Sequence, residues 1–262
     1  MSKYRLTKKQ VAQYQQDGLL MLEDYFPSQD MELLLRIARA DQALAANAAD
    51  RRDSQGRVSR LSLRYDLPES AYSAYARHQG IVEPMEQLIG GPVYHYHHKM
   101  MLKEPYVGGA WEWHQDYGYW YANFLYAEMG SCMIAVDRAT RENGCLQVLK
   151  GSHKAGRLEH GRTGDQTGAE MERVKVLVER LEVVHCQMEP GTVLFFHSNL
   201  LHRSDPNESP QPRWALICCY SAVSNPPFRP EVRGQFTPLE KWDAPQVCQA
   251  VERHWRELQP RQ

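Results

Sequence analysis

The sequence predicts a single β-rich domain, residues 1–262, with helices at its flanks. Three observations carry this. Apolar, β-prone runs recur through the chain at 93–103, 131–137, 191–202 and 213–220, each bounded by Gly, Pro, Asn or Ser clusters. Helical patterns gather near the two ends. No repeat or linker divides the 262 residues, and all-β folds of this size are often one domain.

Taken in order, Thr7 is placed to cap a helix over Lys8 to Asp17, and Gly18 to stop it. Residues 19–22 read as a short strand. Pro27-Ser28 opens a longer helix carrying Leu33, Leu34, Ile37, Ala38, Leu44 and Ala45 on its apolar side. These helices are expected to brace the outside of a sheet. Residues 50–60 (DRRDSQGRVSR) are polar and read as a loop, whose four Arg form a solvated surface or recruit an acidic substrate. Two short helices follow at 71–79 and 81–89, ended by Gly90-Gly91-Pro92.

Residues 93–103 (VYHYHHKMMLK) form the first long strand. Strict alternation places His95, His97, Lys99, Met101 and Lys103 on one face. Only His95 and His97 can then converge among the three histidines, and no carboxylate on the segment completes a metal site with them. Pocket roles are the expectation, with an edge strand of solvated Lys and His as the alternative. Residues 117–126 are densely aromatic, 131–137 a core strand, 138–144 a turn around Asn143-Gly144, and 145–149 a strand. Gly151-Ser152-His153 reads as a structural turn. The Gly-rich stretch 154–173 reads as a long loop bordering an active-site mouth, followed by a short helix at 174–180 and a strand at 181–188. A Pro-rich tail spans 224–230, and 238–258 ends in a helix.

Composition narrows the function. The net charge is -1 and the isoelectric point about 6.8, which gives no electrostatic case for nucleic acid or an anionic membrane. No run of 18 apolar residues exists, and Met1 to Arg5 lacks the apolar stretch of a signal peptide. The six cysteines include no Cys-x-x-Cys, and several sit in apolar runs. Buried free thiols in a reducing cytoplasm fit this pattern.

The chemistry centres on 111–120 (WEWHQDYGYW). In an extended segment His114 and Asp116 project side by side, while Gln115 points away. One metal ion can take both. A His-x-Asp pair alone is a weak signal, and a second histidine completes it: His202, at the end of the run that Pro190-Gly191 opens. Two histidines and one carboxylate form the facial triad that holds non-haem Fe(II) with coordination positions open. After a polar turn, a second run begins at Arg213, which this reading places on the strand next to His202. An Arg there can grip the distal carboxylate of 2-oxoglutarate in bidentate fashion. Ser204, two residues beyond His202, shares its strand face; it is placed to donate to the same carboxylate or to close the turn.

His114-x-Asp116, His202 and Arg213 together resemble the phytanoyl-CoA dioxygenase family, which includes ectoine hydroxylase. Asn143-Gly144-Cys145-Leu146, Gly151-Ser152-His153 and the first helix, residues 6–18, are similar to segments of that family, and the resemblance implies that Gly151-Ser152-His153 lies near the site without making His153 a ligand. The resemblance runs from about residue 6 to residue 220. It implies a double-stranded β-helix (jelly roll), with Fe(II) and 2-oxoglutarate as cofactors. It also implies a cosubstrate pocket lined by the odd face of 93–103, making Lys99 and His97 candidate contacts to 2-oxoglutarate. The implied reaction hydroxylates an unactivated C–H bond of a small substrate with dioxygen, releasing succinate and CO2. A cupin-like metal hydrolase or isomerase and a metal-free ligand-binding jelly roll are the alternatives; Arg213 speaks against the first. Halogenases of this type replace the carboxylate ligand with a small residue, so Asp116 favours hydroxylation. Nothing requires a CoA ester. The aromatics around the motif are core packing or a wall for a small amino acid derivative, betaine or aminophosphonate, with a lipid-like acid in competition.

Overall fold

A computed structural model describes residues 2–259 except 164, 233 and 235. The chain begins with α1 (Lys8–Asp17), capped by the Thr7 hydroxyl and closed by Gly18 in the left-handed region, φ 79°. Then come β1 (Leu19–Leu22), α2 (Ser28–Ala40), α3 (Gln42–Asn47), β2 (Ala48–Arg52), β3 (Val58–Arg64), α4 (Ala71–Arg77) and α5 (Gln79–Ile89). The centre holds β4 (Val93–Lys103), β5 (Trp111–His114), α6 (Asp116–Trp120), β6 (Met129–Ala135) and β7 (Leu146–Leu149). It continues through β8 (His160–Thr163), β9 (Gln166–Ala169), α7 (Met171–Arg180), β10 (Val183–Cys186), β11 (Val193–His197), β12 (His202–Ser204), β13 (Arg213–Ala222) and α8 (Ala244–Leu258).

Two antiparallel sheets face each other. The larger has the order β1-β11-β6-β13-β4-β3-β2 and the smaller β10-β7-β12-β5. This is the double-stranded β-helix, built of open sheets. The central strands of the larger sheet read as unbroken apolar runs because both of their faces are buried. Along β13, Trp214, Leu216, Cys218 and Tyr220 pack toward the helices, while Ala215, Ile217 and Cys219 pack toward the smaller sheet. Met31, Leu34, Ile37 and Ala38 of α2 and Val247, Ala250 and Val251 of α8 cover the outer face. None of the six cysteines is bridged, and five are buried. Among the described residues no helix is long and apolar enough to cross a membrane.

Several expectations are corrected. The helix foreseen from Pro27 to Ala45 breaks at Asp41, which leaves helical geometry (φ -76°, ψ 97°) and caps α3 by accepting from Leu44 N at 3.0 Å. The polar stretch 50–60 is a hairpin. Asp53 Oδ1 accepts from the amides of Gln55 and Arg57, each at 2.9 Å, and Gly56 takes φ 80°. Polar side chains on its outer face hide its alternation, and Arg52, Arg57 and Arg60 pair with surface carboxylates at 3.4 Å. The stretch 154–173 holds the β8–β9 hairpin and the start of α7.

The run 191–202 is two strands rather than one. It passes from the larger sheet (β11) to the smaller (β12) through a tight corner at 198–201, where Asn199 N donates to His197 Nδ1 at 2.9 Å. Arg213 therefore does not sit on a strand beside His202. Its strand, β13, pairs with β4 and β6 in the opposite sheet.

The alternation along β4 also slips. Cys219 pairs with His97 but Tyr220 with His95, so Tyr96 is an unpaired bulge residue. Tyr94 and Tyr96 face the space between the sheets, as does Met101 beyond the bulge. His95 is turned to the helix side, where its Nε2 lies 3.0 Å from His98 Nδ1. His95 and His97 thus do not share a face.

Candidate metal and cosubstrate site

The pairing of β12 with β5 sets His202 directly opposite His114, with ring centroids 4.0 Å apart. Each imidazole is oriented by its own backbone. His114 Nδ1 lies 2.7 Å from Glu112 O and His202 Nδ1 2.9 Å from Leu200 O. Donation to those carbonyls leaves both Nε2 lone pairs free for a metal.

Asp116 is not on the strand, as alternation had suggested. It is the first residue of α6, and the chain turns at Gln115 to deliver it. The fully buried Gln115 side chain donates to Gly156 O at 2.8 Å and Asn199 O at 2.7 Å, and accepts from Leu158 N at 2.7 Å. Gln115 points away, as expected, and it pins the corner. Asp116 Oδ1 comes within 4.0 Å of His202 Nε2. One ligand atom from each of His114, Asp116 and His202 lies within 4.8 Å of the others, and all three residues are buried.

Electrostatics prepare this set for a cation. Burial pushes the Asp116 carboxyl up, but Lys99, His202 and the Ser131 hydroxyl together hold it below the usual carboxylate value. Ser131 Oγ donates to Asp116 Oδ2 at 2.7 Å. Burial, and then the neighbouring His202, keep His114 well below its ordinary value; burial also lowers His202, against the pull of Asp116. Two neutral imidazoles and one ionised carboxylate converging in a buried site fit ferrous iron.

Lys99 Nζ lies 3.9 Å from Asp116 Oδ1. His97 is buried against Trp120 and Tyr96, and its Nδ1 has no partner among the described residues. Arg213 is paired across the strands with Lys103. Its guanidinium donates to Gly144 O at 2.9 Å, and its Nε has no partner among the described residues. Ser204 Oγ accepts from Lys103 Nζ at 2.8 Å. Lys103 thus links Arg213, its neighbour in the larger sheet, to Ser204, which lies on β12 with His202 in the smaller one. Gly144 has φ 74°, and a Cβ there would lie 2.2 Å from Asp205 O and 3.0 Å from Lys103 Nζ, so the Asn143-Gly144 turn fits only glycine.

Sequence reasoning assigned no role to Lys103, although its place on the odd face with Lys99 was a signal; for Ser131 there was none. Of the aromatics, Tyr119 and Trp111 pack near His114, at 5.5 and 6.1 Å between centroids. Tyr117 and Trp120 belong to the core. The β8–β9 hairpin docks here, with Tyr119 donating to Thr167 O at 2.7 Å and Gln166 bonded to Glu112 N and Ala110 O. His153, expected near the site, instead packs on His197 and lies 3.1 Å from Gln15 O through its Nε2.

Similarity to known proteins assigns a family. Residues 14–215 match the phytanoyl-CoA dioxygenase (PhyH) family. The chain is 35% identical to L-proline trans-4-hydroxylase of Streptomyces griseoviridis over 55% of its length, a match that spans 60% of that enzyme. It is 27% identical to ectoine dioxygenase of Sphingopyxis alaskensis, covering 84% of this chain and 77% of the other. Methylphosphonate hydroxylase of Gimesia maris is 36% identical over 55% of this chain and 51% of its own. In fold, the chain superposes on EctD from S. alaskensis, crystallised with 2-oxoglutarate and 5-hydroxyectoine, with TM-score 0.76 at 23% identity over 91% of this chain and 88% of that one. The chain belongs to the phytanoyl-CoA dioxygenase family of iron- and 2-oxoglutarate-dependent oxygenases.

Proposed function

We propose that the protein hydroxylates an unactivated C–H bond of a small organic substrate. One atom of dioxygen enters the new C–O bond, and the other enters succinate as 2-oxoglutarate loses CO2. The observation that carries this reading is the buried His114–Asp116–His202 set together with a buried, incompletely bonded Arg213.

His114, Asp116 and His202 hold the iron. Ser131 and the two backbone carbonyls fix the orientation of those ligands. Arg213 and Ser204 receive the distal carboxylate of 2-oxoglutarate. Lys99, beside Asp116, and His97 lie on the face that borders the bound molecules. Bound iron and 2-oxoglutarate supply the oxidising chemistry, and the protein supplies orientation and exclusion of water. A metal hydrolase has no use for a buried guanidinium offered to a second carboxylate, so the hydroxylase reading is preferred.

Relatives named L-proline trans-4-hydroxylase, ectoine dioxygenase and methylphosphonate hydroxylase support a compact polar metabolite, while relatives named phytanoyl-CoA dioxygenase, which match 56% and 44% of this chain, keep a CoA ester in the test. The test is a substrate panel with anaerobically reconstituted Fe(II) protein, 2-oxoglutarate and dioxygen, reading succinate and product mass together. A hydroxylated product in one-to-one ratio with succinate is expected for a small polar acid or zwitterion. Substrate turnover without succinate sinks the proposal.

A further inference from the structure

Lys103 is 1% exposed. Its Nζ donates to Ser204 Oγ at 2.8 Å and to Asp205 O at 2.5 Å. It faces Arg213 across β4 and β13, and Arg213 is itself only 3% exposed. Among the described residues neither cation has a carboxylate within ion-pair reach. Asp205 is engaged elsewhere, by Arg203 at 3.3 Å and by Gln147. Two buried positive groups side by side, one of them with an Nε that has no partner among the described residues, are costly unless an anion joins them.

We infer that Lys103 is a positioning residue for the cosubstrate: it fixes the direction of the Ser204 hydroxyl and adds a second positive group to the pocket of Arg213. This rests on the proposed 2-oxoglutarate-dependent reading. A Ser204 oxygen that accepts from Lys103 has its own O–H free to donate. Two cations and one aimed hydroxyl make this end of the space between the sheets selective for a 2-oxo acid that ends in a carboxylate. Burial, and then Arg213, hold the Lys103 ammonium well below its usual value; Asp205, Cys145 and Asp53 pull the other way. An arriving carboxylate joins that second group.

The test compares 2-oxoglutarate with 2-oxopentanoate, which has the same chain but a methyl in place of the distal carboxylate. Binding is measured by calorimetry on the Mn(II)-loaded protein, without turnover. Lys103→Met keeps the aliphatic stem, which packs where a Cβ on Gly108 would lie 2.3 Å from Lys103 Cγ. Wild type should prefer 2-oxoglutarate, and the variant should lose about tenfold of that preference, the weight of one charge-assisted hydrogen bond. Binding of 2-oxopentanoate and Mn(II) should be unchanged. Equal weakening of both oxo acids identifies a merely structural peg and overturns the inference, as does an unchanged preference. A wild type that binds neither oxo acid refutes the 2-oxoglutarate reading itself. If Lys103→Met does not fold, Lys103→Gln decides: the neutral side chain must lower the preference for 2-oxoglutarate several-fold, and an unchanged preference overturns the inference.

Discussion

Replacing Arg213 by alanine separates cosubstrate binding from metal binding. The guanidinium is buried and donates to Gly144 O at 2.9 Å, and its Nε has no partner among the described residues. Burial brings its pKa down to about 10, so it is still charged at neutral pH. Losing a charge-assisted hydrogen bond from a buried pair costs about 1.5–3 kcal/mol. That is roughly one to two decades in the dissociation constant for 2-oxoglutarate. The iron ligands come from β5, α6 and β12, none of which carries Arg213, so metal affinity should stay at the wild-type value. Stability should move less than affinity. Truncation orphans Gly144 O, at about 1 kcal/mol, and also relieves the repulsion between Arg213 and Lys103. Calorimetric titration of 2-oxoglutarate into anaerobic Fe(II) protein reads the effect. Equal affinity in mutant and wild type removes Arg213 from the site.

Four further outcomes are expected. The protein should bind one Fe(II) per chain and, with 2-oxoglutarate under argon, show a weak visible charge-transfer band; sub-stoichiometric iron and no band would refute the triad. Asp116→Ala should lower iron affinity and drop product formation to near background, and Asp116→Glu should lose roughly a hundredfold through misplacement of about 1 Å; near wild-type turnover of Asp116→Ala without added chloride or carboxylate shows that Asp116 is not a ligand. Gln115→Leu should weaken metal binding without touching a ligand, because it removes three buried hydrogen bonds that hold the corner; a folded variant with wild-type Mn(II) affinity contradicts this. Acid should destabilise the fold from about pH 6.5 downward. His78, His98 and His197 are each lowered to about 4 by burial first, so the unfolded chain binds more protons and stability falls with pH, by at most about 1.4 kcal/mol per unit for each group. A melting temperature that is flat between pH 7 and 5 contradicts this.

The iron ligands were legible because their chemistry requires particular residue types and leaves few choices. A His-x-Asp pair amid aromatics, a histidine at the end of an apolar run and a following Arg survive errors in the secondary structure around them. Those errors were real. Asp116 lies on a helix, and Arg213 is in the sheet opposite His202. The conclusion held because residues i and i+2 can converge across a strand–helix corner as well as along a strand. Arg213 lies beside Lys103 in the sheet that faces β12, a relation between distant segments that local pattern does not encode. The β2–β3 hairpin was missed because its outer face is filled with Arg and Asp, and the side chain of Asp53 organises its turn.

The bulge at Tyr96 explains how one strand serves two purposes. Strict alternation through 93–103 puts Tyr94 and Tyr96 on the face opposite Lys99 and Lys103. A single unpaired residue moves every later side chain to the other face. In β4 the slip lets Tyr94 and Tyr96 fill the apolar space between the sheets, Tyr96 against Phe124 at 5.0 Å. Beyond it, His97, Lys99 and Lys103 turn into the same space, and the ammonium groups of Lys99 and Lys103 reach Asp116 and Ser204. Without the bulge, the strand would have to choose between packing its aromatics and presenting its cations. With it, His95 and His98 are left on the helix side as a bonded pair, and the three histidines that suggested a rival metal site are divided between the two faces.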